Sequence, residues 1–176
     1  GSLIALFITC NLSISQMIKT MRSMDMKQFF ADLKPFDIMK NNGLNTNNTF
    51  GEFVENFLSN QFNGRFNITL LDLYNMTNKR LVICTCNINK RRIEYLDYIS
   101  SPELNVSKAI MMSCAIPVLI SAIEYEDCLY VDGGFTCNYP FNIYNDFSNV
   151  MGIELCPDLK SEDKDTKHQQ NYFVVL

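Results

Sequence analysis

The sequence contains no tryptophan and a single histidine, His168, which lies in a polar segment near the carboxyl end. A Ser-His-Asp hydrolase needs an imidazole beside its nucleophile, and this histidine is poorly placed to supply one. A zinc site is disfavoured as well, because the chain also lacks any Cys-x2-Cys pair. We therefore expect neither a metal nor an organic cofactor.

Positive charge is also scarce, since the formal net charge is -4 and the isoelectric point is about 5.0. The one dense basic cluster is Lys90-Arg91-Arg92, which lies between two strand-like runs and is typical of an exposed turn. This charge balance argues against nucleic acid as a partner. No apolar run approaches the length that is needed to span a bilayer.

Seven cysteines are present, an odd number that does not suggest a disulfide framework. Five of them lie inside apolar runs, where free cysteines behave as small buried hydrophobes. These five are Cys84, Cys86, Cys114, Cys128 and Cys156. We expect a reduced, intracellular protein, either cytoplasmic or peripheral to a membrane.

Apolar periodicity predicts alternating helices and strands. Spacings of three and four predict a helix over residues 2–22, and a stripe within residues 50–58 predicts an amphipathic helix that packs on the core. Residues 81–86 form a continuous apolar run that is typical of a buried strand. This order of elements indicates an α/β sandwich with a mostly parallel central sheet flanked by helices. We assign residues 1–156 to this domain and residues 157–176 to a polar loop that begins a further element.

The motif Asp132-Gly133-Gly134 follows a strand-like approach and is the most suggestive local pattern in the chain. Two successive glycines allow a sharp turn and bring backbone amides close to the carboxylate. An aspartate held in this way can be aimed into a cleft. An ordinary Asp-Gly hairpin turn is the alternative interpretation of the same residues.

Residues upstream of this motif predict a short helix with Asn105 as its N-cap, ended by Pro117. The order of helix, Ala-Ile-Pro break, strand and Asp-Gly-Gly resembles the patatin-like phospholipases. This resemblance runs loosely from Gly1 to Cys156 and is specific between Val106 and Pro140.

The resemblance implies that Asp132 is the carboxylate of a Ser-Asp catalytic dyad. Gly133 and Gly134 complete its motif, and Asn138 and Pro140 match the Asn and Pro that follow in the family.

The start of the chain resembles the helix that follows the family's Gly-x-Ser-x-Gly nucleophile elbow, with Gly1 as the last glycine of that motif. The nucleophilic serine would then lie two positions before Gly1, and the domain would be truncated at its amino end without its glycine-rich oxyanion loop. Alternatively, Gly1 and Ser2 are a cloning scar. The family interpretation predicts that Gly1 and Asp132 lie close together in space.

The function implied by the resemblance is a phospholipase A-type lipid acyl hydrolase that acts through an acyl-serine intermediate. Its substrate would be a phospholipid or another lipid ester, reached through transient contact with a membrane surface. The 176-residue chain itself would be inactive for lack of the serine. Two alternatives stay open: a catalytically dead binding or scaffold protein on the same fold, and an unrelated α/β domain whose Asp-Gly-Gly is only a turn.

Overall fold

The computed structural model describes residues 1–24, 47–117, 120–137, 139, 140, 143 and 152. The chain divides into two compact units, residues 1–137 and 138–176, and the elements below belong to the first. The predicted domain boundary after residue 156 lies outside the described residues. In chain order the elements are α1 (Ser2–Thr9), α2 (Ile14–Ser23), α3 (Asn47–Gln61), α4 (Leu70–Thr77), β1 (Ile83–Asn87), β2 (Arg92–Leu96), α5 (Val106–Cys114), β3 (Ile123–Tyr125), β4 (Cys128–Asp132) and a 3₁₀ helix (Gly133–Phe135).

The single helix predicted over residues 2–22 is wrong, because the chain breaks into α1 and α2 at Asn11. This residue adopts a left-handed conformation with φ of 60°, which asparagine tolerates better than most residues. The amide of Leu12 donates to the carbonyl of Phe7 at 3.0 Å and closes the end of α1. Ser13 and Gln16 then form a reciprocal capping box that starts α2.

The sheet is four-stranded with the order β2-β1-β4-β3. The prediction of a mostly parallel sheet does not hold for these strands, because all three pairings between them are antiparallel. Two of the pairings are hairpins, and a short hairpin can join only antiparallel strands. The β3–β4 turn is made by Glu126 and Asp127, both with positive φ.

The strand prediction for residues 81–86 corresponds to β1, which lies in the interior of the sheet between β2 and β4. Helix α5 packs on β1 and β4, and helix α3 packs on α5. The stripe of α3 is buried, with Val54 and Leu58 fully inaccessible, and Phe57 meets Phe7 of α1 edge to face at 4.8 Å between ring centroids. The stripe therefore packs on the core, as predicted. No helix within the described ranges is both long enough and apolar enough to cross a membrane.

Helix α5 begins as predicted, because the side chain of Asn105 accepts a hydrogen bond from the Lys108 amide at 3.1 Å. Ala109, Ile110 and Met112 are fully buried in the core. The helix ends at Cys114, and Ala115 provides its C-cap. The carbonyl of Ala115 accepts a hydrogen bond from the amide of Asp132, the last residue of β4.

A buried carboxylate stabilises the connection after β2. Asp97 accepts hydrogen bonds from the amides of Ile99 at 3.0 Å and Ser100 at 2.8 Å, and from Arg80 Nε at 2.7 Å. Burial acts to raise the pKa of Asp97, but the hydrogen bonds from Ser100, Arg80 and Ile99 together hold it below the ordinary value. The ionised form is therefore favoured by folding.

The lowered pKa of Asp97 predicts a specific acid sensitivity. The ionised Asp97 contributes its full stabilisation at pH values above about 4, the pKa of an aspartate in the unfolded chain. This contribution is lost as the pH falls through the lower pKa of Asp97 in the folded protein. We expect Asp97→Asn to lower the free energy of unfolding at neutral pH and to flatten its decline in acid. Urea denaturation at a series of pH values measures both effects, with the exposed Asp127→Asn as the control. Parallel pH curves for Asp97→Asn and the unmodified chain would contradict the assignment.

Candidate active site around Asp132

Asp132 is the last residue of β4, and its backbone and side chain are both held by hydrogen bonds. Its amide donates to the carbonyl of Ala115 at 3.0 Å, which ties the end of the strand to the end of α5. Its Oδ1 accepts a hydrogen bond from the Gly134 amide at 2.7 Å and so caps the 3₁₀ helix. Asp132 is half-buried, and the hydrogen bond from Gly134 orients its carboxylate.

Gly133 is buried where the chain turns from β4 into the 3₁₀ helix. A Cβ atom built at this position would lie 2.7 Å from the carbonyl oxygen of Cys84 and 2.8 Å from its Sγ. Real Cβ atoms do not approach backbone oxygens so closely, and Cys84 belongs to the interior strand β1. Glycine is therefore required at position 133 for packing rather than for an unusual φ.

The start of α1 lies at the same end of α5 as Asp132. Ser2 Oγ is 3.6 Å from Sγ of Cys114, the residue immediately before Ala115. Burial raises the pKa of the Cys114 thiol, whereas the hydrogen bond with Ser2 acts to lower it and the Asp132 carboxylate acts to raise it. The start of α1 and the backbone of Asp132 are therefore both held at Cys114 and Ala115, at the carboxyl end of α5.

The two thiols beside Asp132 are poor nucleophiles. Burial raises the pKa of Cys84 to about 11, with further contributions from Cys137, Asp132 and Cys86. The pKa of Cys114 is raised too, chiefly by burial. Because the thiolate is the reactive form of cysteine, neither side chain is activated for attack near neutral pH.

Other residues singled out in the sequence are not part of this cluster. Glu126 and Asp127 form the exposed turn at the opposite end of β4, and Asn138 and His168 lie outside the described residues. Within the described ranges, no group of three or more histidine, cysteine and acidic side chains is arranged to hold a metal ion.

A cleft of about 640 Å³ opens elsewhere on the surface and does not include Asp132. Its charged lining residues are Glu55, Glu103, Lys108 and Glu124. Lys108 lies near the amino end of α5, whereas Asp132 is held at the carboxyl end of that helix. The cleft is therefore separate from the Asp132 turn.

Sequence reasoning missed Thr85, whose buried hydroxyl donates to the carbonyl of Val131 at 2.8 Å. It also missed the carbonyl of Ala115. The available signal was a hydroxyl residue inside the otherwise apolar run of residues 81–86, because a buried hydroxyl needs a hydrogen-bond partner.

A family model described as patatin-like phospholipase matches residues 1–144. The chain belongs to the patatin-like phospholipase family. The matched residues contain all the elements described above, including the Asp132 turn. The catalytic role of Asp132 remains a prediction from the family resemblance.

The chain is also similar in sequence to two viral proteins. The chain is 26% identical over 166 residues to an uncharacterized protein of Acanthamoeba polyphaga mimivirus, covering 93% of this chain and 54% of that protein. It is 28% identical over 82 residues to a probable lipid hydrolase of Invertebrate iridescent virus 6, covering 47% of this chain and 28% of that protein. The chain thus spans about half the length of the first relative, and its match to the second covers a smaller share of that protein.

The contact of Gly133 with Cys84 predicts that Gly133→Ala is destabilising. An added methyl group must displace either the turn or strand β1, and overpacking of this kind typically costs about 1–3 kcal/mol. We expect urea denaturation to show a loss in that range and NMR to show a displaced Gly134 amide.

Gly51→Ala is the matched control. A Cβ at Gly51 would meet Sδ of Met111 at 2.6 Å, but a methionine side chain can move aside, and alanine favours the helix by about 1 kcal/mol. We expect little net change in stability at position 51. Equal losses at Gly51 and Gly133 would contradict the packing argument.

Proposed function

We propose that this chain supplies Asp132 as the carboxylate of a Ser-Asp dyad in a lipid acyl hydrolase. The serine would occupy the second position before Gly1 in a longer protein. The observation that carries the proposal is the arrangement at the end of α5, where Asp132 is hydrogen-bonded to Ala115 and the first residue of α1 lies against the neighbouring Cys114. In this family the nucleophile elbow leads directly into the helix that α1 resembles.

The chemistry follows from a carboxylate acting as base. Asp132 accepts the serine proton as the serine oxygen attacks the ester carbonyl, and the proton then passes to the departing alcohol. A water molecule next attacks the acyl-serine, Asp132 accepts its proton, and the proton returns to the serine as the fatty acid leaves. The net reaction is ester plus water to fatty acid plus alcohol. Gly134 holds one carboxylate oxygen, and the other would face the serine.

Apolar side chains next to the anchors of Asp132 support a lipid ester as substrate. Ile116 follows Ala115 and is 47% exposed, and Phe135 follows Gly134 and is 69% exposed. Exposed apolar groups beside a carboxylate suit an uncharged acyl chain. The relative named as a probable lipid hydrolase favours the same substrate class. The same side chains would make the transient contact with a membrane surface that we propose.

Asp132→Asn tests the catalytic role in a longer protein that carries Gly-x-Ser-x directly before Gly1 and a glycine-rich loop upstream. Asparagine keeps the side-chain shape but cannot take the proton, so we expect fatty acid release from mixed phospholipid micelles to fall by about three orders of magnitude or more. Folding should be nearly unchanged.

Asp127→Asn is the control and should retain full activity. The 176-residue chain assayed alone should show no turnover above background. An active Asp132→Asn variant would refute the dyad. An inactive longer protein that still binds lipid vesicles would instead support the scaffold alternative.

Phe135→Ser tests whether this side chain touches the acyl chain in the same longer protein. Each methylene group of the substrate that is no longer buried should weaken transition-state binding by about 0.8 kcal/mol, or roughly fourfold. We therefore expect kcat/KM to fall for long-chain esters and to stay unchanged for acetyl esters. Phe66→Ser is the control, because Phe66 is also highly exposed and lies between α3 and α4. Equal losses for long and short esters would rule out an interaction of Phe135 with the acyl chain.

A further inference from the structure

The peptide group between Val131 and Asp132 is held on both sides. Its carbonyl accepts a hydrogen bond from the Thr85 hydroxyl at 2.8 Å, and its amide donates to the carbonyl of Ala115 at 3.0 Å. These two contacts come from different elements, because Thr85 lies in β1 and Ala115 follows α5. Together they fix the plane of the peptide that leads into the Asp132 side chain.

Thr85 is placed to act on Asp132 in particular. The two residues are register partners in the β1–β4 pairing, so their side chains emerge on the same face of the sheet about 5 Å apart. Thr85 is fully buried in the interior strand. A buried hydroxyl without a partner is costly, which makes its hydrogen bond to Val131 a firm anchor.

Loss of this anchor would allow the Val131–Asp132 peptide to tilt. The tilt would move the Cα of Asp132 and with it the carboxylate that Gly134 holds at 2.7 Å. Catalysis by a base depends steeply on geometry, and a displacement of about 1 Å can cost roughly a hundredfold in rate.

We propose that Thr85 is a positioning residue that holds the Asp132 carboxylate in its orientation through the Val131 carbonyl. Its kinetic consequence rests on the proposed function of Asp132. The predicted effect of Thr85 on the orientation of the Asp132 carboxylate follows from the hydrogen bonds alone. The two consequences are therefore tested separately.

The test uses three variants. Thr85→Val keeps the side-chain shape and removes the hydroxyl, whereas Thr85→Ser keeps the hydroxyl. Thr77→Val is the matched control, because the Thr77 hydroxyl also donates to a backbone carbonyl, that of Leu73 at 2.7 Å, but lies in α4.

The structural arm uses the 176-residue chain and NMR. The Gly134 amide donates to the Asp132 carboxylate, so its chemical shift should follow the ionisation of that group during a pH titration. We expect Thr85→Val to reduce this pH-dependent shift by about half or more, because the hydrogen bond becomes longer. Thr85→Ser and Thr77→Val should retain it. An unchanged Gly134 titration in Thr85→Val would overturn the inference.

The kinetic arm uses the longer protein that carries the serine. Thr85→Val should lower kcat by about tenfold or more with KM unchanged, since positioning of the base affects the chemical step rather than substrate binding. Thr85→Ser should restore most of the rate, and Thr77→Val should behave as the unmodified protein. The inference would also be overturned if Thr85→Val raised KM alone, or if Thr85→Ser were as slow as Thr85→Val. If Asp132→Asn retains activity, the dyad fails, and the Gly134 titration still decides the role of Thr85.

Discussion

The close approach of Gly133 to the backbone of Cys84 is the constraint on which the rest of the Asp132 turn depends. Because Gly133 has no side chain, the chain can turn out of β4 and still pack against the interior strand β1. The 3₁₀ turn is therefore supported by the core of the sheet rather than by a surface loop. Gly134 then follows in a position where its amide meets the carboxylate. The proposed role of Asp132 as a base depends on a carboxylate held in this way, because reorganisation during the reaction is then avoided.

Helix α5 connects the two halves of the proposed dyad. Asn105 sets where the helix begins, and its last residue, Cys114, touches Ser2 at the start of α1. The next residue, Ala115, binds the amide of Asp132. The beginning of α1 and Asp132 are thus both in contact with the C-terminal turn of α5.

The features that were predicted correctly are those determined by residues close together in the sequence. Asn105 and the apolar face of α5 are of this kind, and so is the strand that ends at Asp132. The patatin resemblance, carried by the residues from Val106 to Pro140, is confirmed by the family match. The antiparallel sheet was missed because strand direction depends on how distant segments pair, which a buried apolar run does not encode. The hydrogen bond of Thr85 was missed for a related reason: a hydroxyl inside an apolar run indicates that a partner is needed but not which one, and its partner Val131 is 46 residues away.

The thiols beside Asp132 limit which chemistry the site can perform. Cys84 and Cys114 are near enough to the carboxylate for its charge to raise their pKa, and burial raises both further than the charge does. They therefore remain neutral near physiological pH and neither compete as nucleophiles nor repel the carboxylate. Ionised thiolates at these positions would disfavour a negatively charged base beside them. A pair of partly buried, neutral thiols is compatible with the proposed role of Asp132 as the proton acceptor.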